Sequence, residues 1–196
     1  MLGANDGWAV GNVGTIIHWD GTDWNNVTSP TTWSLWSVDM VDADDGWAVG
    51  DGLGLYEVII HWDGTNWNSV SGPDLGCRLY SVDMVSPTDG WAVGYGGMII
   101  HWDGTSWSRA DEMPAIFTLY SVCMVGANDG WTVGPDDIIH WDGTRWSNLT
   151  SPGDAPGLYD VDMVNANDGW TVGPPMGVLH WDGTSWSSVE APQLYN

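Results

Sequence analysis

Short apolar runs alternate with turn-forming residues along the whole chain. In one stretch, valine, isoleucine, tyrosine and tryptophan dominate residues 79–85, 91–94, 98–103 and 107–110. Asp-Gly pairs and other turn residues separate the runs, and no long helical period occurs. Such residues suit a pleated, largely buried surface, and Asp-Gly is a strong hairpin signal. The pattern therefore predicts short antiparallel strands joined by tight turns.

These runs belong to a unit of about 40 residues that occurs five times. The motif His-Trp-Asp-Gly-Thr-x-Trp recurs in each unit and contains all five histidines. Asp-Gly-Trp-(Ala/Thr)-Val-Gly recurs in the same order, as does a motif resembling Leu-Tyr-Ser-Val-Asp-Met-Val. Four strands in about 40 residues are typical of a β-propeller blade. We predict an all-β, five-bladed propeller with four antiparallel strands per blade, forming a single domain over residues 1–196.

Both ends of the sequence resemble the inside of a repeat. Residues 1–6 align with residues 124–129, and residues 194–196 match the start of the Leu-Tyr-Ser-Val motif. We expect the C-terminal segment to pair near the N-terminus and close the ring, which would hide unpaired strand edges. The same alignment predicts that the chain is part of a longer protein.

The charge balance excludes several classes of partner. The chain has 26 acidic residues and only three basic ones, giving a formal net charge of −23. Nucleic-acid binding is not expected, because phosphate contacts need basic groups. Membrane insertion is not expected either, since no apolar run approaches the roughly 18–20 residues that a spanning helix needs. An acidic surface suits an extracellular or cell-surface setting, where cations screen it, or it simply keeps the protein soluble.

The repeated motifs carry a family resemblance. The segment DGWAVGNVGTIIHWDGTDW and its four counterparts resemble repeat propellers of the photosystem II stability/assembly factor-like or BNR (Asp-box)-like family. The HWDGTxW part is similar to tectonin repeats. The resemblance implies a propeller over nearly the whole chain. It does not specify a function, because such proteins include assembly factors, lectin-like modules and surface proteins. The sialidase Asp-box order Ser-x-Asp-x-Gly-x-x-Trp does not occur as such.

The adjacent histidine, tryptophan and aspartate could form an acid/base pair or a metal site. A catalytic centre is normally unique, whereas this trio recurs in matching places, so we interpret it as structural. The tryptophans would fill the space between blades with their indole N–H groups bonded nearby, and the histidines would bridge strands. The aspartates would accept backbone N–H bonds in turns. The residues assigned to this framework are Trp8, Trp47, Trp91, Trp131, Trp170, His18, His61, His101, His140, His180, Trp19, Trp62, Trp102, Trp141, Trp181, Trp24, Trp67, Trp107, Trp146 and Trp186.

A second set of acids lies on the strand that should line the central channel. Asp39, Asp83 and Asp162 share one position, and Cys123 replaces the acid once. A ring of carboxylates could hold a cation such as calcium. We prefer the interpretation in which each carboxylate bonds to backbone in its own blade, and we expect no other cofactor.

The connections after the second and fourth strands vary most between repeats, and in propellers they emerge on one face. Aromatic rings there could anchor a protein or stack on sugars, or they could fill gaps beneath the loops. The acids could bind calcium. The candidate binding residues on this variable face are Trp33, Tyr56, Glu57, Tyr95, Asp111, Glu112, Phe117, Asp136 and Asp137.

These features predict a non-catalytic scaffold that binds a protein partner or a neighbouring subunit. A carbohydrate-binding, lectin-like propeller is the alternative, with a glycan as the ligand. A glycosidase of sialidase type is a third, less favoured class, because it needs three arginines that converge on a substrate carboxylate. Arg78, Arg109 and Arg145 lie at different points of their repeats and are not expected to converge. We therefore predict no enzymatic activity.

Overall fold

The computed structural model describes residues 3–54, 56–74, 76–111, 114–115, 117–149, 157–174 and 177–189. These residues form five antiparallel sheets in chain order, the first with three strands and the others with four. The first sheet contains β1 (Gly7–Val10), β2 (Ile16–Trp19) and β3 (Trp24–Asn26), and the second contains β4 (Ser34–Asp42), β5 (Asp45–Asp51), β6 (Glu57–Trp62) and β7 (Trp67–Val70). The third contains β8 (Leu79–Ser86), β9 (Asp89–Gly94), β10 (Met98–Trp102) and β11 (Trp107–Arg109). The fourth contains β12 (Ser121–Gly126), β13 (Asp129–Val133), β14 (Ile138–Trp141) and β15 (Trp146–Leu149), and the fifth β16 (Asp160–Asn165), β17 (Asp168–Gly173), β18 (Gly177–Trp181) and β19 (Trp186–Ser188).

Within each sheet, every strand pairs with the strand before it in the chain, as in a propeller blade. The connections follow from local chemistry. In the turn between β10 and β11, Asp103 Oδ1 accepts hydrogen bonds from the backbone N–H groups of Thr105 and Ser106, both at 2.8 Å. Gly104 takes a positive φ of 88°, a conformation that glycine adopts without strain. The Asp-Gly-Thr motif thus sets the hairpin in each repeat.

The apolar core lies between successive sheets. Trp91 of β9 is buried and contacts two tryptophans of the next sheet, with ring centroids 4.8 Å from Trp141 and 5.2 Å from Trp146. Val93 and Ile99 are fully buried in the same cluster. Tryptophans bury about 150–250 Å² each, so these contacts supply a large share of the packing.

The outward faces of the first and fifth sheets differ from the faces between sheets. Trp170 of β17 is 40% exposed, whereas the equivalent Trp131 is 1% exposed. Trp24 of β3 is 48% exposed, whereas the equivalent Trp186 is 8% exposed. Among the described residues, the fifth sheet makes no tryptophan ring contact with the first. The predicted closure by residues 194–196 lies outside the described residues and stays a prediction.

Candidate functional site

The repeated histidines form one recurring side-chain arrangement. His101 Nε2 donates to Asp89 Oδ1 at 2.7 Å, and its ring lies 4.3 Å from that of Trp91. The other four repeats have the same bond at 2.7–2.8 Å. Aspartates of the Asp-Gly-Trp motif therefore accept from histidine rather than from backbone, which corrects the prediction. The reason is register: His101 pairs with Trp91, so the start of β9 lies beside the imidazole.

The tryptophans divide into two kinds by their hydrogen bonding. Trp102 Nε1 donates to the Pro87 carbonyl at 3.0 Å and so fastens the turn between β8 and β9. Equivalent bonds are made by Trp19, Trp62, Trp141 and Trp181. The remaining buried indole N–H groups have no hydrogen-bond partner among the described residues, contrary to the prediction: those of Trp8, Trp47, Trp67, Trp91, Trp107, Trp131, Trp146 and Trp186. These rings meet edge to face across sheets, as Trp47 and Trp107 do at 5.4 Å and 82°, so packing rather than hydrogen bonding fixes them.

The channel aspartates join neighbouring sheets. Asp39 Oδ2 accepts from the backbone N–H of Met84, in the next sheet, at 2.8 Å. Asp83 Oδ2 accepts in the same way from Met124. Asp39 and Asp83 therefore bond to the next sheet, whereas we expected bonds within their own blades. These bonds can form because the innermost strands of different sheets lie side by side without a shared backbone ladder. Asp39, Asp83 and Asp162 line one cavity, but within the described parts of the chain no group of three or more His, Cys, Asp or Glu residues could hold a metal ion.

Asp83 has an unusual environment. Burial and the nearby carboxylate of Asp39 together raise its pKa to about 7, against the lowering effect of the backbone hydrogen bond from Met124. Burial likewise raises the pKa of the Cys123 thiol, to about 11, so that side chain is a neutral thiol at physiological pH. The channel thus holds one acid that ionises with difficulty beside another.

The unshared aromatics of the variable face are all exposed: Trp33, Tyr56, Tyr95 and Phe117. They do not fill gaps beneath the loops. Of the acids predicted with them, Asp111 and Asp136 are exposed, and Glu57 is partly buried at the start of β6.

Asp137 differs from the exposed acids of this face. Asp137 is buried, and its Oδ1 accepts from Asn148 Nδ2 of β15, so it does not belong to the exposed rim. It directly precedes β14, which pairs with β15, and this position turns it toward the sheet. Glu112 lies outside the described residues.

An aromatic cavity at the channel mouth was missed from the sequence. Trp36, Tyr80, Tyr120 and Tyr159 line a space of about 360 Å³, and we call these four residues the aromatic collar. Successive ring centroids are 6.3, 5.7 and 4.9 Å apart. Each residue lies at the beginning of an innermost strand, where the variable connection after the fourth strand ends. The collar therefore opens on the variable face.

Local backbone geometry presents the collar. Trp36 and Tyr80 sit at register shifts in β4 and β8, and such bulges redirect a side chain. Trp36 Nε1 donates to Asp51 Oδ1 at 2.7 Å, which fixes the indole. The tyrosines belong to the repeated Leu-Tyr-Ser-Val motif, and Trp36 occupies the tyrosine position in the second sheet. The available signal was an aromatic residue in the same place of every channel strand, directly after a variable loop.

Two of the three arginines share one cleft. Arg109 and Arg145 line a cavity of about 480 Å³ between the third and fourth sheets, together with Trp91, Trp141 and Trp146. These two arginines come from the end of β11 and from the turn before β15, which meet across the gap between sheets. Arg78 lies elsewhere, with its Nε 3.3 Å from Asp51 Oδ2.

Comparison with known proteins identifies the fold. No protein-family model matches the chain, and no curated protein matches it in sequence. A solved structure described as YCF48 bound to D1 peptide superposes with a TM-score of 0.74 at 16% identity, over 98% of this chain and 65% of that one. YCF48 from Cyanidioschyzon merolae gives 0.68 at 16% identity over 92% and 67%. The WD40 β-propeller domain of Doa1 gives 0.66 at 15% identity over 85% and 57%.

The chain has the fold of a repeat β-propeller. It spans about two thirds or less of the length of these structures. The predicted resemblance to photosystem II stability/assembly factor-like repeat propellers is supported at the level of fold, whereas the tectonin and Asp-box resemblances stay predictions. In the part of the chain that the structure describes, no helix is long and apolar enough to cross a membrane.

Proposed function

We propose that this protein is a non-catalytic scaffold that binds a protein partner through its variable face. The observation that carries the proposal is that all four unshared aromatics of the variable face are exposed: Trp33, Tyr56, Tyr95 and Phe117. Contiguous exposed apolar groups mark interaction sites, and aromatic residues often dominate binding energy there. The two propeller types among the structural neighbours are consistent with protein binding, and one of those neighbours was solved with a peptide bound.

The repeated polar residues support a binding role rather than catalysis. The histidines donate to neighbouring aspartates in the same way in all five repeats, so none is singled out for chemistry. A site of sialidase type would need three converging arginines, and only Arg109 and Arg145 share a cavity. The strongly acidic surface suits a protein that works outside the cell or at its surface.

Carbohydrate binding is the second candidate, and the cleft between the third and fourth sheets favours it. That cleft combines the rings of Trp91 and Trp141 with two guanidinium groups in about 480 Å³, a size that suits a small ligand. The other sheets carry serine or asparagine where the third has Arg109, so the site would not be repeated.

The two candidates are separated by presenting the same protein to a random peptide display library and to a glycan array. The test variant replaces Trp33, Tyr56, Tyr95 and Phe117 with serine. The control variant carries Val125→Ser and Val164→Ser, which change exposed apolar residues at the opposite ends of innermost strands.

We expect peptides to be selected by the wild type and the control but not by the test variant. Equal selection by all three proteins would contradict the proposal. Glycan binding without peptide binding, lost in an Arg109→Ser and Arg145→Ser variant, would favour the lectin instead.

A further inference from the structure

We propose that the aromatic collar and the carboxylates next to it receive the guanidinium group of an arginine in a basic peptide segment. This inference rests on the proposed function and narrows its partner to a class of peptide. The established contacts of the fold do not use the exposed faces of the collar, and nothing in the repeat pattern requires Trp36 and Tyr159 to be about half exposed.

The geometry of the collar suits a flat cation. Its rings follow one another at 6.3, 5.7 and 4.9 Å around a concave space of about 360 Å³. The face of an aromatic ring carries a partial negative charge, and a cation within about 6 Å of the ring centroid is attracted to it. A guanidinium group is planar and weakly hydrated, so it stacks on such faces better than an ammonium group does.

Carboxylates follow directly on the collar. Asp160 comes immediately after Tyr159 in the chain and is exposed, with its Oδ1 accepting from Ser121 Oγ at 2.8 Å. A second cavity of about 390 Å³ is lined by the next residues of the same strands, including Asp39, Asp83 and Asp162. Because a strand rises about 3.3 Å per residue, these acids lie one to three residues deeper than the rings.

The charge around both cavities is negative. No lysine or arginine lines either of them in the described part of the chain. Asp39 lies close enough to Asp83 that its carboxylate, together with burial, raises the pKa of Asp83, so acids are crowded there. An arriving guanidinium would offset that crowding, and the net charge of −23 would attract a basic segment from a distance. An anionic ligand would be repelled by these acids.

The form of the site favours a side chain on a peptide over a small cation or a metal. No group of three or more acidic, histidine or cysteine ligands able to hold a metal occurs in the described residues. Aromatic rings above and carboxylates below match a long apolar stem that ends in a charge. Trp33 and Phe117 are exposed and precede the collar residues Trp36 and Tyr120 closely in the chain, so they offer contact area to the rest of a peptide.

The probes for the test are two blocked, fluorescently labelled peptides of sequence Gly-Arg-Gly-Ser-Arg-Gly, one with arginine and one with citrulline. Citrulline keeps the shape of the side chain and removes its charge. Binding is followed by fluorescence anisotropy at low and at high salt, with tetramethylammonium as a competitor. We expect the arginine peptide to bind, the citrulline peptide to bind far more weakly, and high salt to weaken the interaction.

The variants separate the collar from the rest of the face. Tyr120→Leu and Tyr159→Leu should each weaken the arginine peptide by about 2- to 30-fold, the range of one cation–π contact. Tyr120→Phe and Tyr159→Phe keep the ring and should retain affinity. Val164→Ser, an exposed position near the other end of β16 and outside both groups of aromatics, serves as the control. Melting curves of every variant show whether it is folded, and the Phe variants keep the test decisive if a Leu variant is not.

Unchanged affinity in the Leu variants, or equal binding of the arginine and citrulline peptides, would overturn the assignment. So would tetramethylammonium that binds as tightly as the arginine peptide, because the site would then recognise a small cation. If display selects peptides without basic residues that depend on Trp33 and Phe117, the proposed function stands and this inference fails. If neither probe nor library binds to the variable face, both fail.

Discussion

Removal of one tryptophan tests whether the outward face of the fifth sheet is covered in solution. The pair of variants is Trp131→Ala and Trp170→Ala. The two residues occupy the same place in adjacent sheets, but Trp131 is 1% exposed and Trp170 is 40% exposed. Trp131 contacts Trp181 at 4.7 Å and Trp186 at 5.3 Å in the next sheet, whereas Trp170 contacts only the ring of His180, at 4.3 Å, among the described aromatics.

The expected difference follows from buried area. A fully buried tryptophan covers about 150–250 Å², which at about 25 cal/mol per Å² contributes roughly 4–6 kcal/mol. Truncation to alanine in a core costs about 3–5 kcal/mol, so Trp131→Ala should lose that amount. Because 40% of Trp170 remains in water, its loss should be smaller by about 2 kcal/mol. For a chain of this size, that corresponds to a melting midpoint about 4–8 °C higher for Trp170→Ala than for Trp131→Ala.

The assay is thermal and urea unfolding of both variants, followed by tryptophan fluorescence and circular dichroism at two protein concentrations. Light scattering at the same concentrations shows whether the chain is a monomer. Equal losses in the two variants would refute the exposure of Trp170. A monomer with equal losses would mean that the first and fifth sheets close the ring, as the sequence predicts. Equal losses that depend on concentration would mean that another chain covers this face.

Two further changes test local features of the sheets. Gly94→Ala should unfold the protein or lower its stability severely, because a Cβ there would lie 1.9 Å from the Arg78 carbonyl oxygen. The control Gly126→Ala meets no atom within 4 Å and should leave the melting temperature unchanged, and melting curves of both variants test this. The folded pKa of Asp83 lies above its ordinary value, so the native state holds this proton between about pH 4 and pH 7 and the wild type should lose stability as the pH rises through that range. Asp83→Asn cannot titrate and should not show this loss. Unfolding in urea across this pH range should give a flatter profile for the variant, and an unchanged slope would mean that Asp83 is not buried beside Asp39.

The fold could be predicted from the sequence because the same strand and turn pattern occurs in each of the repeats. The Asp-Gly-Thr turn, the paired tryptophans and the period of about 40 residues give the same result five times. The strands β8 to β11 accordingly lie close to the predicted runs. The positions of Trp131 and Trp186 between sheets follow from the same repetition. The exposure of Trp170 could not be predicted, because its burial depends on whether another sheet packs against the fifth sheet, and the repeat pattern does not show this.

The site was harder to predict for a physical reason. Departure from the repeat singled out Trp33, Tyr56, Tyr95 and Phe117, which the structure shows to be exposed. The same criterion left Tyr80 and its equivalents out of the candidate site, because they recur in the sequence, although they converge in space at one channel mouth. Recurrence marks structure for residues that lie between sheets, where each copy has its own surroundings. Around a central axis, equivalent residues meet one another, and repetition itself builds a single site.

Asp39, Asp83 and Cys123 occupy equivalent positions, and their structural role at this position does not require a negative charge. Asp39 and Asp83 accept a backbone N–H from the next sheet, and a backbone hydrogen bond from Met163 lowers the pKa of the Cys123 thiol in the corresponding way. A neutral thiol can fill this place, so the tie between sheets needs an acceptor and not a negative charge. Asp83 nevertheless keeps a carboxylate at a position where burial and a neighbouring acid oppose its ionisation. An unfavourable charge that the fold does not require is expected where a cationic ligand compensates it, which is the role proposed for arginine at the collar.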